Sequence, residues 1–284
     1  MPSVRDLLEL IRAPAALSVP GDAIAGAAAA GGLSRRTAGL ATASVCLYWA
    51  GMAANDWADR ELDAVERPER PIPSGRIAPG PALAVAAGLT VVGLAAAAAT
   101  GGRRALGVAG PLVAAIWLYD GKLKNTGAGP AGMAACRGLD VLLGASSGRV
   151  RHAVGPALVV AAHTYAVTAL SRHEVAGAPR HVPAATMVAT GCVAAAASVP
   201  RQGRSFVVPA LLAGWYAARF GAAQRAVLRD TSPGQVRATV GSGITVLPVL
   251  QGALTAAHGR PAAGVLVACG APLGRRLVRA VSPT

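Results

Sequence analysis

Runs of apolar residues divide this chain of 284 residues, and their lengths restrict its fold more than any other feature. They cover about 14–33, 36–54, 81–100, 104–119, 128–148, 153–170, 182–199, 205–221 and 239–257, with a shorter tenth at 262–274. Crossing the hydrocarbon core of a bilayer takes about 20 apolar residues in a helix. The runs are too long and too uniform for barrel strands, which alternate residue by residue. The expected fold class is therefore all-α, a polytopic transmembrane helix bundle forming one domain over residues 1–284. Apolar residues make up 53% of the chain and charged ones 14%, so lipid is its natural solvent. Its 35 glycines let helices approach closely where small-residue packing replaces the hydrophobic drive. The first ten residues carry Arg5, Asp6 and Glu9, unlike a cleavable signal peptide, so the first apolar helix is expected to be retained.

The net charge of +14 would suggest nucleic acid in a soluble protein. Here the cations sit in gaps between apolar runs, where they anchor helices to anionic headgroups; the partner is the lipid bilayer, not nucleic acid. With the N-terminus inside, 17 cations fall in inside segments, ending with Arg275, Arg276 and Arg279, against nine outside, among them Arg204. That bias predicts a multi-pass protein of the cell membrane whose loop over 55–80 faces the cytoplasm. Cys46, Cys136, Cys192 and Cys269 lie far apart within apolar runs, without metal or disulfide spacing, and are expected to be buried small side chains.

The least apolar stretch reads NDWADRELDAVERPERPIPSGR, residues 55–76, and holds six of the thirteen acids between Asp56 and Glu69. On a helix, Asp56, Asp59 and Asp63 fall at about 0°, 300° and 340°, one narrow face, with Glu61 opposite. Carboxylates stacked this way repel each other unless a cation lies between them. Such hard oxygen donors suit Mg²⁺, which keeps waters and completes its shell with substrate phosphates. Arg67, Arg70 and Arg76 follow at once. The plainer alternative is a solvated acidic helix end beside a basic loop.

Asn55-Asp56-x-x-Asp59-x-x-x-Asp63 followed by Arg70-Pro71-Ile72-Pro73-Ser74-Gly75-Arg76 resembles the first aspartate-rich motif of the UbiA superfamily of intramembrane prenyltransferases. The resemblance implies a membrane enzyme of about nine helices. It would use Mg²⁺, held by Asp56, Asp59 and Asp63, to ionise an allylic prenyl diphosphate and transfer the prenyl group to an unidentified acceptor. Asn55, Arg67, Arg70 and Arg76 would contact the diphosphate. The loop Tyr119-Asp120-Gly121-Lys122-Leu123-Lys124 carries the chain's two lysines among 25 arginines. A compact ammonium against phosphate, or a positive-inside anchor, accounts for them. The segment is similar to the family's Tyr-and-Lys element, which adds Tyr119, Lys122 and Lys124 to the substrate-binding set. The longer run YDGKLKN…GPAGMAACRGLDVLLGAS is similar to the EboC-like subgroup.

Where the family carries a second Asp-rich motif, this chain offers Ser171 and the single acid Glu174, eleven residues and about three helical turns after His163. Glu174 is therefore the candidate to complete the site, with Asp230 a weaker one. Arg137 and Asp140, i and i+3 in the fifth run, are expected to pair, as a structural pair or as part of a substrate cavity, because an unpaired charge at that depth is costly. Asp22 in the first run needs a partner that the sequence does not name. Prenyl transfer is the leading function; a non-catalytic binder or carrier of a lipid diphosphate on the same scaffold is the second.

Overall fold

A computed structural model describes residues 3–201 and 205–271, and every regular element among them is helical. Arg204, Arg275, Arg276 and Arg279, counted above for orientation, lie outside the described residues, as does the end of the tenth run. The short α1 (Val4–Leu10) leads through a 3₁₀ turn (Ala13–Ser18) into α2 (Val19–Ala30), α3 (Arg35–Ala58) and α4 (Arg60–Glu66). After a loop come α5 (Pro79–Leu118), a π-helical turn (Tyr119–Leu123) and α6 (Gly129–Ala145). Then follow α7 (Val154–Ser171), α8 (His181–Ser198), α9 (Val207–Arg229), α10 (Pro233–Ala257) and α11 (Pro261–Ala268). The boundaries obey local chemistry. Proline occupies the first turn of α5, α6, α10 and α11, where its missing N–H costs nothing. Ser3 and Asp6 close a capping box on α1, and Ser232 caps α10 ahead of Pro233.

A straight α5 of 40 residues would be about 60 Å long, twice the hydrocarbon core. It is not straight. Gly102, at φ 62° and ψ −150°, interrupts it with a conformation that side chains disfavour. Trp117 Nε1 then donates to Thr90 Oγ1 at 3.3 Å, although the two are 27 residues apart. The arms 79–101 and 103–118 therefore run antiparallel and match the third and fourth apolar runs. By length and apolar composition, five helical segments could cross a membrane: α3, Pro79–Leu123, Val150–Ser171, α8 and α10. That is fewer than the expected count of about nine, for physical reasons. The α5 hairpin is one continuous segment in that set, α2 and α6 have only 12 and 17 residues, and α9 ends among arginines.

Helices α3, α5 and α6 share one core, and α7 to α10 another. Between them α2 and α6 nearly touch: a Cβ at Gly26 would collide with the Val141 carbonyl oxygen, and one at Gly144 with that of Ala23. Backbones this close are what small residues allow in lipid. Helix α10 returns to α2, where Gln251 Nε2 donates to Asp22 Oδ1 at 2.6 Å, so the bundle closes into a ring. Loops sort to two ends. The acidic loop, the 119–128 turn, the 171–180 segment and the start of α10 are joined by Lys124–Asp59 (2.7 Å), Arg172 Nη1 to Thr126 O, and Ala178 N to Thr231 O (3.1 Å). At the other end Arg149 N meets Ala30 O at 2.9 Å and Arg201 N meets Ala257 O at 3.0 Å. Cys46 and Cys136 are buried as expected. Cys192 and Cys269 are not: both are exposed, one on α8 and the other at the end of α11.

Candidate active site

The acidic stretch does not form one continuous helix. Helix α3 ends at Ala58, and Asp59, at φ −89° and ψ 1°, is the joint from which α4 departs. Asp56 and Asp63 nevertheless stay together because one guanidinium bridges them: Arg70 Nη1 lies 3.3 Å from Asp56 Oδ1 and 2.5 Å from Asp63 Oδ2. The turn after Arg70 explains its reach. Ser74 Oγ donates to Arg70 O at 2.6 Å, Ile77 N to Pro71 O at 2.9 Å, Gly75 takes φ +75°, and Ile72 and Ile77 are buried beneath. Arg70 thus stands on a folded, anchored loop.

Every acid of the motif is met by a cation. Arg12 Nη2 contacts Asp56 Oδ1 at 2.6 Å, from a backbone at φ 47°, the one left-handed non-glycine among the described residues. Arg67 approaches Asp63 at 3.7 Å, and Lys124 pairs with Asp59 at 2.7 Å. The π-helical turn separates the two lysines: Lys124 N bonds to Tyr119 O, five residues back, so Lys124 turns inward while Lys122 is exposed. The same turn buries Asp120, whose Oδ1 accepts from Asn55 Nδ2 at 3.0 Å. Arg76 has partners other than those expected. It points to α1, where Asp6 (2.8 Å) and Glu9 (2.7 Å) hold it, and it also donates to Glu69 O at 2.6 Å. Those contacts pull the Glu9 carboxyl below its ordinary range.

Beside this cluster opens a cavity of about 440 Å³. Arg12, Tyr119, Asp120, Ser171 and Glu174 line its acidic end. Gly51, Met52, Leu112, Ile116, Val167 and Ile244 form apolar walls, and Ser44, Arg137, Asp140, His163 and Leu247 line it further in. Burial pushes the Glu174 carboxyl above its ordinary range, against the pull of Arg237 and Arg67. Asp230 is exposed and accepts from Ser232 N at 3.0 Å, a local loop contact. The expected pair Arg137–Asp140 is corrected. Arg137 Nη2 instead lies 2.8 Å from Asp22 Oδ2 across the α2–α6 seam, and Asp140 accepts from Ser44 Oγ at 2.5 Å. Helix contact at Gly26 and Gly144 brings a better-placed carboxylate to Arg137 than its own helix does. Sequence reasoning gave Arg12 and Asp120 no role; their signals were a basic residue just before the first apolar run and an acid beside Tyr119.

The donor set suits a hard cation in kind, since Asp56, Asp59, Asp63 and Asp120 offer only carboxylate oxygens. Among the described residues no three His, Cys, Asp or Glu side chains converge on one metal-sized position. The positive charge between the acids is that of Arg70, Arg12 and Lys124.

Fold and site together define a multi-pass membrane helix bundle with interlocked acids and bases at one end of an internal apolar cavity. The profile of the UbiA prenyltransferase family matches residues 19–233, and the chain belongs to that family. It is 42% identical over 94 residues to the digeranylgeranylglyceryl phosphate synthase of Natronomonas pharaonis, covering 32% of this chain and 34% of that protein. It is 41% identical over 128 residues to the protein of the same name from Methanopyrus kandleri, covering 43% and 45%. The matched region therefore spans less than half the length of these relatives. A solved apo structure of a UbiA homolog from Aeropyrum pernix K1 superposes with a TM-score of 0.67 at 18% identity, over 89% of this chain and 97% of that one, which shows the fold.

Proposed function

We propose that this protein is a prenyltransferase that moves a prenyl group from an allylic prenyl diphosphate to an acceptor within the membrane. One observation carries the reading: three carboxylates interlock with three cations, and Arg12 and Asp120 carry that cluster to the lining of an internal cavity. Asp56, Asp59 and Asp63 are the residues that would hold Mg²⁺, which supplies neutralising charge to a bound diphosphate. Arg12, Arg70 and Lys124 supply fixed positive charge toward the leaving group, with Arg67 and Lys122 further out. The allylic C1–O bond breaks and its electron pair leaves with the diphosphate. The acceptor's nucleophilic atom then bonds C1 and sheds a proton. The walls formed by Leu112, Ile116, Val167 and Ile244 exclude water, which would otherwise capture the allylic cation. Tyr119, Asp120 and Glu174 face this space, and the acidic end faces the cytoplasm.

The test incubates membranes containing the protein with prenyl diphosphates of several lengths, with Mg²⁺ or with a chelator, followed by mass spectrometry of the lipid extract. The activity in the archaeal relatives' name makes a glyceryl phosphate lipid one acceptor to include. Diphosphate release that needs Mg²⁺ and disappears in Asp59→Asn supports the reading. Binding of the prenyl diphosphate without release would favour the second one, a lipid-diphosphate carrier, for which the lone Glu174 in place of a second Asp-rich motif speaks.

A further inference from the structure

Away from its acidic end the cavity closes on a second polar group that diphosphate binding leaves without a task. Ser18, Ser44, Arg137 and Asp140 line it there. The charged members are withdrawn from solvent: Arg137 is 12% exposed, and Asp140 is 6% and Asp22 0% exposed. Asp22, which pairs with Arg137, is fixed from its other side by Gln251 Nε2 at 2.6 Å, and the same amide donates to Ser18 O at 2.8 Å. Gly21 makes room for this clamp, since a Cβ there would collide with the Gln251 amide. The guanidinium thus has its charge matched from behind by a carboxylate held in place. Asp140, with its hydrogen bond from Ser44, is a second carboxyl beside that single guanidinium, and it also hydrogen-bonds to Asp22, so the two acids share a proton and together match the one positive charge. His163, the other basic side chain at this depth, has Nδ1 2.9 Å from the Tyr216 hydroxyl and Phe220 against its ring. The floor has no positive charge to spare.

A floor shaped only for a prenyl tail would be apolar, because buried charges in a membrane interior are costly and packed apolar residues can replace a buried ion pair without loss. Ser44 precedes Asp56 on α3 by twelve residues, about 18 Å. Ser18 follows Arg12 by six, about 12 Å at the 3₁₀ rise. That gap accommodates the C1 end of a donor and one ring-sized acceptor.

We propose that this floor is the acceptor subsite, and that it takes a neutral hydroxyl-bearing group while disfavouring an anionic one. The proposal rests on the prenyl-transfer reading of the other end. A hydroxyl can donate to Asp140 and accept from Arg137. A carboxylate or phosphate in the same place would put a third acid against one guanidinium, in a low-dielectric setting where like charges repel strongly.

The experiment titrates the protein in nanodiscs with 4-hydroxyphenylacetate and with 4-hydroxyphenylacetamide, which share shape and differ in charge. Mg²⁺ and non-cleavable farnesyl thiodiphosphate are present. Partitioning into lipid favours the amide in every variant, so the quantity read is the change in the ratio of the two affinities. Asp140→Asn removes one of the two acids at constant shape and is expected to shift the ratio about tenfold toward the carboxylate. Asp22→Asn is expected to shift it the same way; should that variant fail to fold, Asp140→Asn decides alone. An unchanged ratio in Asp140→Asn overturns the proposal, as does wild-type protein that prefers the carboxylate or binds neither compound. Farnesyl thiodiphosphate binding, measured separately, reports on the prenyl-transfer reading: its absence overturns that reading, whereas its presence with an unchanged ratio overturns only this one.

Discussion

Arg70 shows how much one side chain holds at the acidic end. Asp63 is 1% exposed, and without Arg70 its remaining cation is Arg67 at 3.7 Å. Removing one partner of a buried pair typically costs about 3–5 kcal/mol because the other charge is left uncompensated. Arg70→Ala should therefore lower the thermal unfolding midpoint clearly. Arg70→Lys should restore only part of it, since the shorter lysine stem falls about one bond short of the Nη1 position that meets both carboxylates. Arg76 makes a second residue-scale prediction. Its hydrogen bonds hold Glu9 below the ordinary carboxyl value of 4.5, against the opposing effect of burial. A depressed folded-state value means that the contact adds stability above about pH 4.5 and loses it as pH falls through the lower folded value. Hydrogen exchange in α1 should rise at acid pH in the wild type and be high at every pH in Arg76→Ala. At this scale the sequence was least legible. The partners of Arg76 and Arg137 depend on which helices become neighbours, and local spacing does not report that; the Arg137–Asp140 spacing pointed to the wrong acid.

At the scale of elements, legibility was high, because bilayer thickness sets the length of an apolar run and the gaps carry the arginines. The reversal between the third and fourth runs falls at Gly102, inside the Gly-Gly-Arg-Arg gap. Gly102→Val should cost at least about 1–2 kcal/mol, the ordinary penalty of a left-handed backbone with a Cβ. Gly107→Ala, in a helical arm with open space around it, should be neutral or stabilising. Thermal melts of the two variants side by side check both outcomes. The π-helical turn after α5 escaped the sequence reading, because one extra residue in a turn leaves the apolar pattern around it unchanged. It nevertheless sends Lys124 inward and Lys122 outward.

For the whole molecule, the arrangement of loops turns the charge count into a test of orientation. Ser74 lies at the acidic end and Arg151 at the other, and both are exposed. With the native cysteines replaced, a membrane-impermeant maleimide should label Ser74→Cys in inside-out vesicles and Arg151→Cys in intact cells. Labelling of Ser74→Cys in intact cells would reverse the orientation.

The ring of helices also constrains how the protein is made. Asp22 is synthesised early relative to its partners: Arg137 follows 115 residues later and Gln251 229 residues later. Until α10 arrives, α2 sits in the bilayer with its acid incompletely sheltered. A premature stop before α10 should therefore leave a product for membrane quality control to remove.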